Sequence, residues 1–174
     1  VSKLGALIRS IDLINEYVGR GIAWVALGMV LVQFIVVIMR YVFAIGSIPM
    51  QESIWYMHGI LFMVGAGYTL LYDGHVRVDI FYREASPRRK ALVDLAGVLV
   101  FLLPVCVMTW WLSWSYVYHA WEIHEGSTEV SGLPFIYLLK TVILVFVVLV
   151  GLQGISLAVK SALTLSGARD AGET

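Results

Sequence analysis

Four apolar stretches, each long enough to cross a lipid bilayer, constrain this chain more than any other feature. A helix needs roughly 20 residues to span the hydrocarbon core. The first stretch runs from about Ile22 to Phe43, the second from about Glu52 to Tyr72, the third from about Ala91 to Trp121 and the fourth from about Phe135 to Leu163. Helices satisfy their own backbone groups in lipid, and no alternating pattern suggests a barrel. The expected fold is therefore all-α: a single membrane domain of 174 residues with four transmembrane helices. Composition agrees, at 60% hydrophobic and 14% charged residues with a mean hydropathy of +0.85. Soluble domains lie nearer a quarter charged. No room remains for a separate soluble catalytic domain, and a net charge of zero gives no footprint for nucleic acid. Cys106 is the only cysteine, so no intrachain disulfide can form, and its place in the third stretch predicts a buried apolar role.

Basic residues give the direction. Lys3, Arg9 and Arg20 precede the first span, and Arg77, Arg83, Arg88, Arg89 and Lys90 fill the 73–90 loop. Lys160 and Arg169 close the chain. Only Arg40 and Lys140 fall on the other side, where the 122–134 loop carries Glu122, Glu125 and Glu129. The positive-inside rule puts both termini and the 73–90 loop in the cytoplasm. Residues 1–20 lack the pattern of a cleavable signal peptide. Leu4, Leu7, Ile8, Ile11, Ile14 and Val18 recur at helical spacing there, which predicts an amphipathic helix lying on the membrane surface. Gly19 and Gly21 offer a bend between that helix and the first span. The alternative is a plain cytoplasmic extension of the span.

The third stretch is long for a simple crossing, roughly 45 Å at about 1.5 Å per residue. It is expected to tilt, kink near Pro104 or project outward, and its outer half is crowded with Trp110, Trp111, Trp114, Tyr116, Tyr118 and Trp121. Such rings favour the membrane interface and also suit protein contacts. Arg40 is expected to pair with Glu52 across a short loop, and Lys140 to snorkel toward water. Gln33 and Gln153, the polar residues deepest in their spans, predict interhelical hydrogen bonds. Gly59, Gly65, Ala66 and Gly67 in the second span, with Gly151, Gly154 and Ala158 in the fourth, permit close helix contact.

Paired histidines in a four-helix membrane protein raise the question of haem. His58 lies about two turns below the outer end of its span, whereas His119 stands near the outer interface, so coaxial ligation is strained. A haem- or quinone-binding membrane anchor is kept as the alternative class, with no cofactor or metal expected. No nucleophile has a nearby base, and no buried charged pair or broken helix marks a transport pathway.

The run His75-Val76-Arg77-Val78-Asp79 ends the second span, and its polar side chains share one side if extended. Together with Glu52, Trp55, Gly65-Ala66, Trp121, Glu122, Glu125, Ser127, Gly132-Leu133-Pro134 and Lys140, it resembles the small Q-type membrane subunit of tripartite ATP-independent periplasmic (TRAP) transporters. The likeness covers nearly the whole chain; Gln51-Glu52 stands where members often carry two acids. The resemblance implies a complex in a bacterial inner membrane. A periplasmic solute-binding protein delivers a solute, usually an organic acid, to a large membrane subunit that carries the sodium and substrate sites. The small subunit is expected to scaffold that large subunit and to help dock the binding protein, itself having no enzymatic activity. The site assignments that follow are Trp114, Trp121, Glu122, Glu125, Ser127 and Glu129 for docking. Glu52, His75, Arg77, Asp79 and Arg40 are assigned structural roles, with Arg77 and Asp79 making local bonds at the helix end or contacting anionic membrane lipid.

Overall fold

The computed structural model describes residues 2–76 and 82–167. The first helix, α1 (Ser2–Val42), is followed by α2 (Ile48–Val64), which begins earlier than the sequence suggests because Pro49 fits the first turn of a helix. A short α3 (Ala66–Leu71) continues α2 after a local irregularity at Gly65, whose carbonyl also accepts the Thr69 hydroxyl at 3.0 Å. The third span comprises α4 (Pro87–Gly97), a π-helical stretch (Val98–Leu102) and α5 (Leu103–Glu122). The last helix is α6 (Ile136–Leu165). No strand occurs among the described residues, and the four helical segments Lys3–Val42, Ile48–Leu71, Pro87–Glu122 and Ile136–Leu165 are long and apolar enough to cross a membrane.

Two expectations about irregularity turn out differently. Near Pro104 the disturbance takes the form of the π stretch: the Leu103 N–H reaches back five residues to the Val98 carbonyl. Proline lacks an N–H and crowds the carbonyl four residues before it, so a wider turn relieves the conflict. At Gly19 and Gly21, by contrast, the helix is unbroken. Residues 2–20 are not a separate helix; α1 runs without interruption into the first span. Gly19 is there for contact, since a Cβ on it would lie 2.1 Å from the ring of Tyr68.

Helix α6 is the common neighbour of every other segment. It packs on α1, on α2 with α3, and on the whole third span, whereas among the described residues no backbone of α1, α2 or α3 comes within 8 Å, Cα to Cα, of the third span. The four spans thus form an open layer rather than a closed bundle. A groove of about 940 Å³ separates α3 from α4 and α5, with Phe146, Val150 and Leu157 of α6 as its floor. Small residues explain the central position of α6. A Cβ on Gly154 would meet Leu102 at 2.3 Å, and Cys106, Val147 and Val150 form a buried cluster between α5 and α6. Large apolar side chains such as Phe34, Phe62, Phe101 and Trp111 (80% exposed) point outward, the arrangement expected when lipid is the solvent.

Helix ends are closed economically. After α3, the Gly74 N–H donates to the Thr69 carbonyl at 2.8 Å and the Asp73 N–H to the Leu70 carbonyl at 3.3 Å. Asp73 takes a positive φ of 55° in this Schellman turn. The end of α5 repeats the motif with His124 at φ 47°, through Glu125 N–H to Ala120 and His124 N–H to Trp121. Both turns re-aim the chain sharply where a span ends.

Candidate functional site: a clasp at one end and a polar cluster at the other

The loop between α5 and α6 folds back onto the first turns of α2. Glu52, only 6% exposed, accepts the Ser127 hydroxyl with one carboxylate oxygen. Its other oxygen accepts the Leu133 N–H at 2.6 Å. The Ser127 N–H donates to the Leu133 carbonyl at 3.0 Å, closing the loop on itself, and the Ser127 hydroxyl oxygen also accepts the Glu129 N–H at 3.1 Å. Gly132 passes so close that a Cβ would stand 2.3 Å from Ser127 Oγ and 2.7 Å from Glu52 Oε1. Only glycine fits there. Pro134 packs beside Gly126, which braces the return into α6.

A second set of contacts ties the loop and the end of α5 to α6. The Lys140 ammonium donates to the Glu125 carboxylate and lies 3.9 Å from the centre of the Tyr116 ring. The Trp121 indole N–H donates to the Thr141 hydroxyl at 2.8 Å, with its ring edge-on to Tyr137. Residues far apart in the sequence resemblance therefore meet in one place: Glu52, Trp121, Glu125, Ser127, Gly132, Leu133, Pro134 and Lys140 make a single clasp. Of the residues assigned to docking, Glu125 and Ser127 are half-buried and committed inward. Trp114, Glu122 and Glu129 remain exposed, Glu122 in contact with His119 Nδ1 at 2.8 Å. Trp121 is exposed in part but commits its polar edge to Thr141.

The expected Arg40–Glu52 pair is not what forms. The carboxylate of Glu52 is taken by the loop, and Arg40 stays exposed, with no hydrogen bond or ion pair among the described residues. Lys140 does not simply snorkel either, since Glu125 and Tyr116 hold it. His75 is exposed just past α3, while Arg77 and Asp79 lie outside the described residues. His58 is exposed and stacks loosely on Phe62. Among the described residues no group of three or more His, Cys, Asp or Glu side chains is placed to hold a metal ion.

At the opposite end, α1 carries a polar cluster that the sequence pattern did not announce. Asp12 Oδ2 accepts the Lys160 ammonium at 2.7 Å. Asp12 Oδ1 accepts the Ser156 hydroxyl at 2.8 Å and the Gln153 amide at 3.0 Å. Asn15 donates in turn to Gln153 Oε1 at 2.9 Å. Asn15 and Ser156 are fully buried and Gln153 nearly so. The expected interhelical bonding of Gln153 is thus present, whereas Gln33 faces outward without a partner among the described residues. Nearby, Glu16 joins Arg20 and Tyr72, linking α1 to the end of α3. Accepting its hydroxyl, the Glu16 carboxylate holds the Tyr72 phenol above its ordinary pKa. The spacing of Asp12, Asn15 and Gly19 was the available signal, since all three share a helix face with Ile8 and Ile11.

Open helical layering, lipid-like exteriors and four helices long and apolar enough to cross a membrane define an integral membrane protein of the helical class. Residues 29–163 match the family of tripartite ATP-independent periplasmic transporters, DctQ component, and the chain belongs to that family. No curated protein and no solved structure matches it. It is therefore a small membrane component of a TRAP transporter.

Proposed function

We propose that this chain is the accessory scaffold of its transporter. In this reading it sits in a bacterial inner membrane with both termini in the cytoplasm, where it supports the large membrane subunit. It also presents a docking surface to the periplasmic solute-binding protein. Transport itself, the sodium-coupled uptake of an organic acid, belongs to the large subunit.

The observation that carries the docking role is the inward commitment of the clasp. Glu52, Glu125, Ser127 and Lys140 hold the loop in one shape, which leaves Glu122, Glu129 and Trp114 facing outward on a fixed support. A preorganised acidic surface suits a partner that must bind and leave repeatedly, because charge steers encounter more than it adds affinity. The asymmetry of basic residues supports the orientation.

The test is a docking measurement on the detergent-solubilised or nanodisc-embedded pair of membrane subunits. Charge reversal at Glu122 and Glu129 is expected to weaken capture of the binding protein and steepen its loss with salt, while the two membrane subunits still copurify. Unchanged docking in that double variant would remove this surface from consideration. Sodium-driven uptake in proteoliposomes, with and without the chain, tests the scaffold role: equal uptake without it would overturn the reading.

A further inference from the structure

Between Ile22 and Tyr41, α1 presents three stripes, each recurring at alternating steps of three and four residues, with the third described below lying between the other two and turned by about 100° from each. Ile22, Val25, Met29, Val32, Val36 and Met39 are all buried or half-buried and form the face toward α2 and α6. Trp24, Leu27, Leu31, Phe34, Ile38 and Tyr41 are all exposed, large and apolar, the composition expected against lipid. The third stripe is different. Ala23, Ala26, Val30, Gln33, Val37 and Arg40 are small, β-branched or polar, and all but the half-buried Ala26 are exposed.

Gln33 and Arg40 share that stripe, seven residues apart, so Gln33 lies about 10 Å deeper along the axis. Neither has a hydrogen bond or ion pair among the described residues. A carboxamide inside an apolar span is costly in lipid unless something satisfies it. Small neighbours let a second helix approach closely, and one polar residue in such a seam fixes its register. Arginine, with its planar fork, favours a carboxylate. A second copy of this chain is a poor occupant. Two copies inserted the same way would lie parallel, and a symmetric pairing on this stripe would press Arg40 against Arg40.

From this we infer that the Ala23–Arg40 stripe is the seam along which a transmembrane helix of the large subunit docks. That helix offers a hydrogen-bonding group opposite Gln33 and a carboxylate opposite Arg40. The inference rests on the accessory-subunit reading and adds to it the face and the chemistry of contact.

The experiment uses the whole complex in native membranes. A photoreactive benzoylphenylalanine is placed at Val30 or Val37 in the seam, or at Leu31 or Ile38 one residue away on the lipid stripe. Adducts to the large subunit from the seam positions, and not from the lipid stripe, are expected. Gln33→Leu and Arg40→Glu should each lower copurification roughly threefold to tenfold, the range of one interhelical hydrogen bond in a membrane, while Arg40→Lys retains most of it. If the chain copurifies but its seam positions label only lipid or another copy, the seam is wrong and the scaffold reading stands. Equal copurification of all three variants with the parent chain would likewise overturn the seam alone. If the parent chain does not copurify with the large subunit at all, the scaffold reading itself fails.

Discussion

The clasp and the polar cluster solve the same problem in opposite ways. Each holds a carboxylate against groups distant in sequence, but Glu52 is buried and receives only uncharged donors, a hydroxyl and a backbone N–H. Asp12 is partly exposed and meets a full positive charge, Lys160, together with Ser156 and Gln153. The first arrangement shapes a loop, because its donors belong to a chain that would otherwise be free to move. The second fastens one helix to another, because its donors already sit on a rigid α6. A carboxylate that organises backbone is therefore the harder to replace.

That difference can be broken by substitution. Glu52→Ala removes the acceptor for Ser127 and for the Leu133 N–H in a site that excludes water, and a loss of about 3 kcal/mol is expected. The unfolding temperature of the purified protein should fall, and the loop after α5 should become accessible to protease while the spans stay protected. Retained protease resistance would mean that the Lys140 and Trp121 contacts suffice alone. Asp12→Ala should cost less, about 2 kcal/mol, since water reaches part of the site and Lys160 can turn to solvent. Its signature is a loosened N-terminal half of α1, seen as faster hydrogen exchange over residues 3–20 with the loop between α5 and α6 unchanged. Equal exchange in the parent and variant would show that packing, rather than this network, fastens α1.

How much of this was legible depended on which residues advertise their neighbours. The spans were, because twenty apolar residues in a row permit little else, and the π stretch beside Pro104 follows from a proline within such a run. The residues of the clasp were visible as a resemblance, but their purpose was not. Nothing in the sequence says that Glu52 reaches Ser127 and Leu133 rather than the nearer Arg40. Short loops make the nearest opposite charge attractive on paper; the folded loop offers better-directed donors. The Asp12 cluster was obscured for another reason. Asp12 and Asn15 lie in a segment whose leucines and isoleucines read as a surface-lying amphipathic helix, and half of that apolar stripe is indeed left exposed at Leu4, Leu7 and Ile14. The polar residues, usually assigned to water, were the ones turned toward α6.

The glycines of α1 give the smallest effect and the sharpest contrast. As two halves of a bend, Gly19 and Gly21 should respond alike. The folded helix separates them: Gly19 sits against Tyr68, while a Cβ on Gly21 would meet nothing within 4 Å. Gly19→Ala must displace an aromatic ring or part α1 from α3, a change expected to cost about 1–2 kcal/mol. Gly21→Ala gains helix propensity without a clash and should stabilise by up to about 1 kcal/mol. Opposite shifts in unfolding temperature are therefore expected from two substitutions two residues apart. Shifts of the same sign would return the pair to the role of a hinge, and with it the N-terminal segment to the membrane surface.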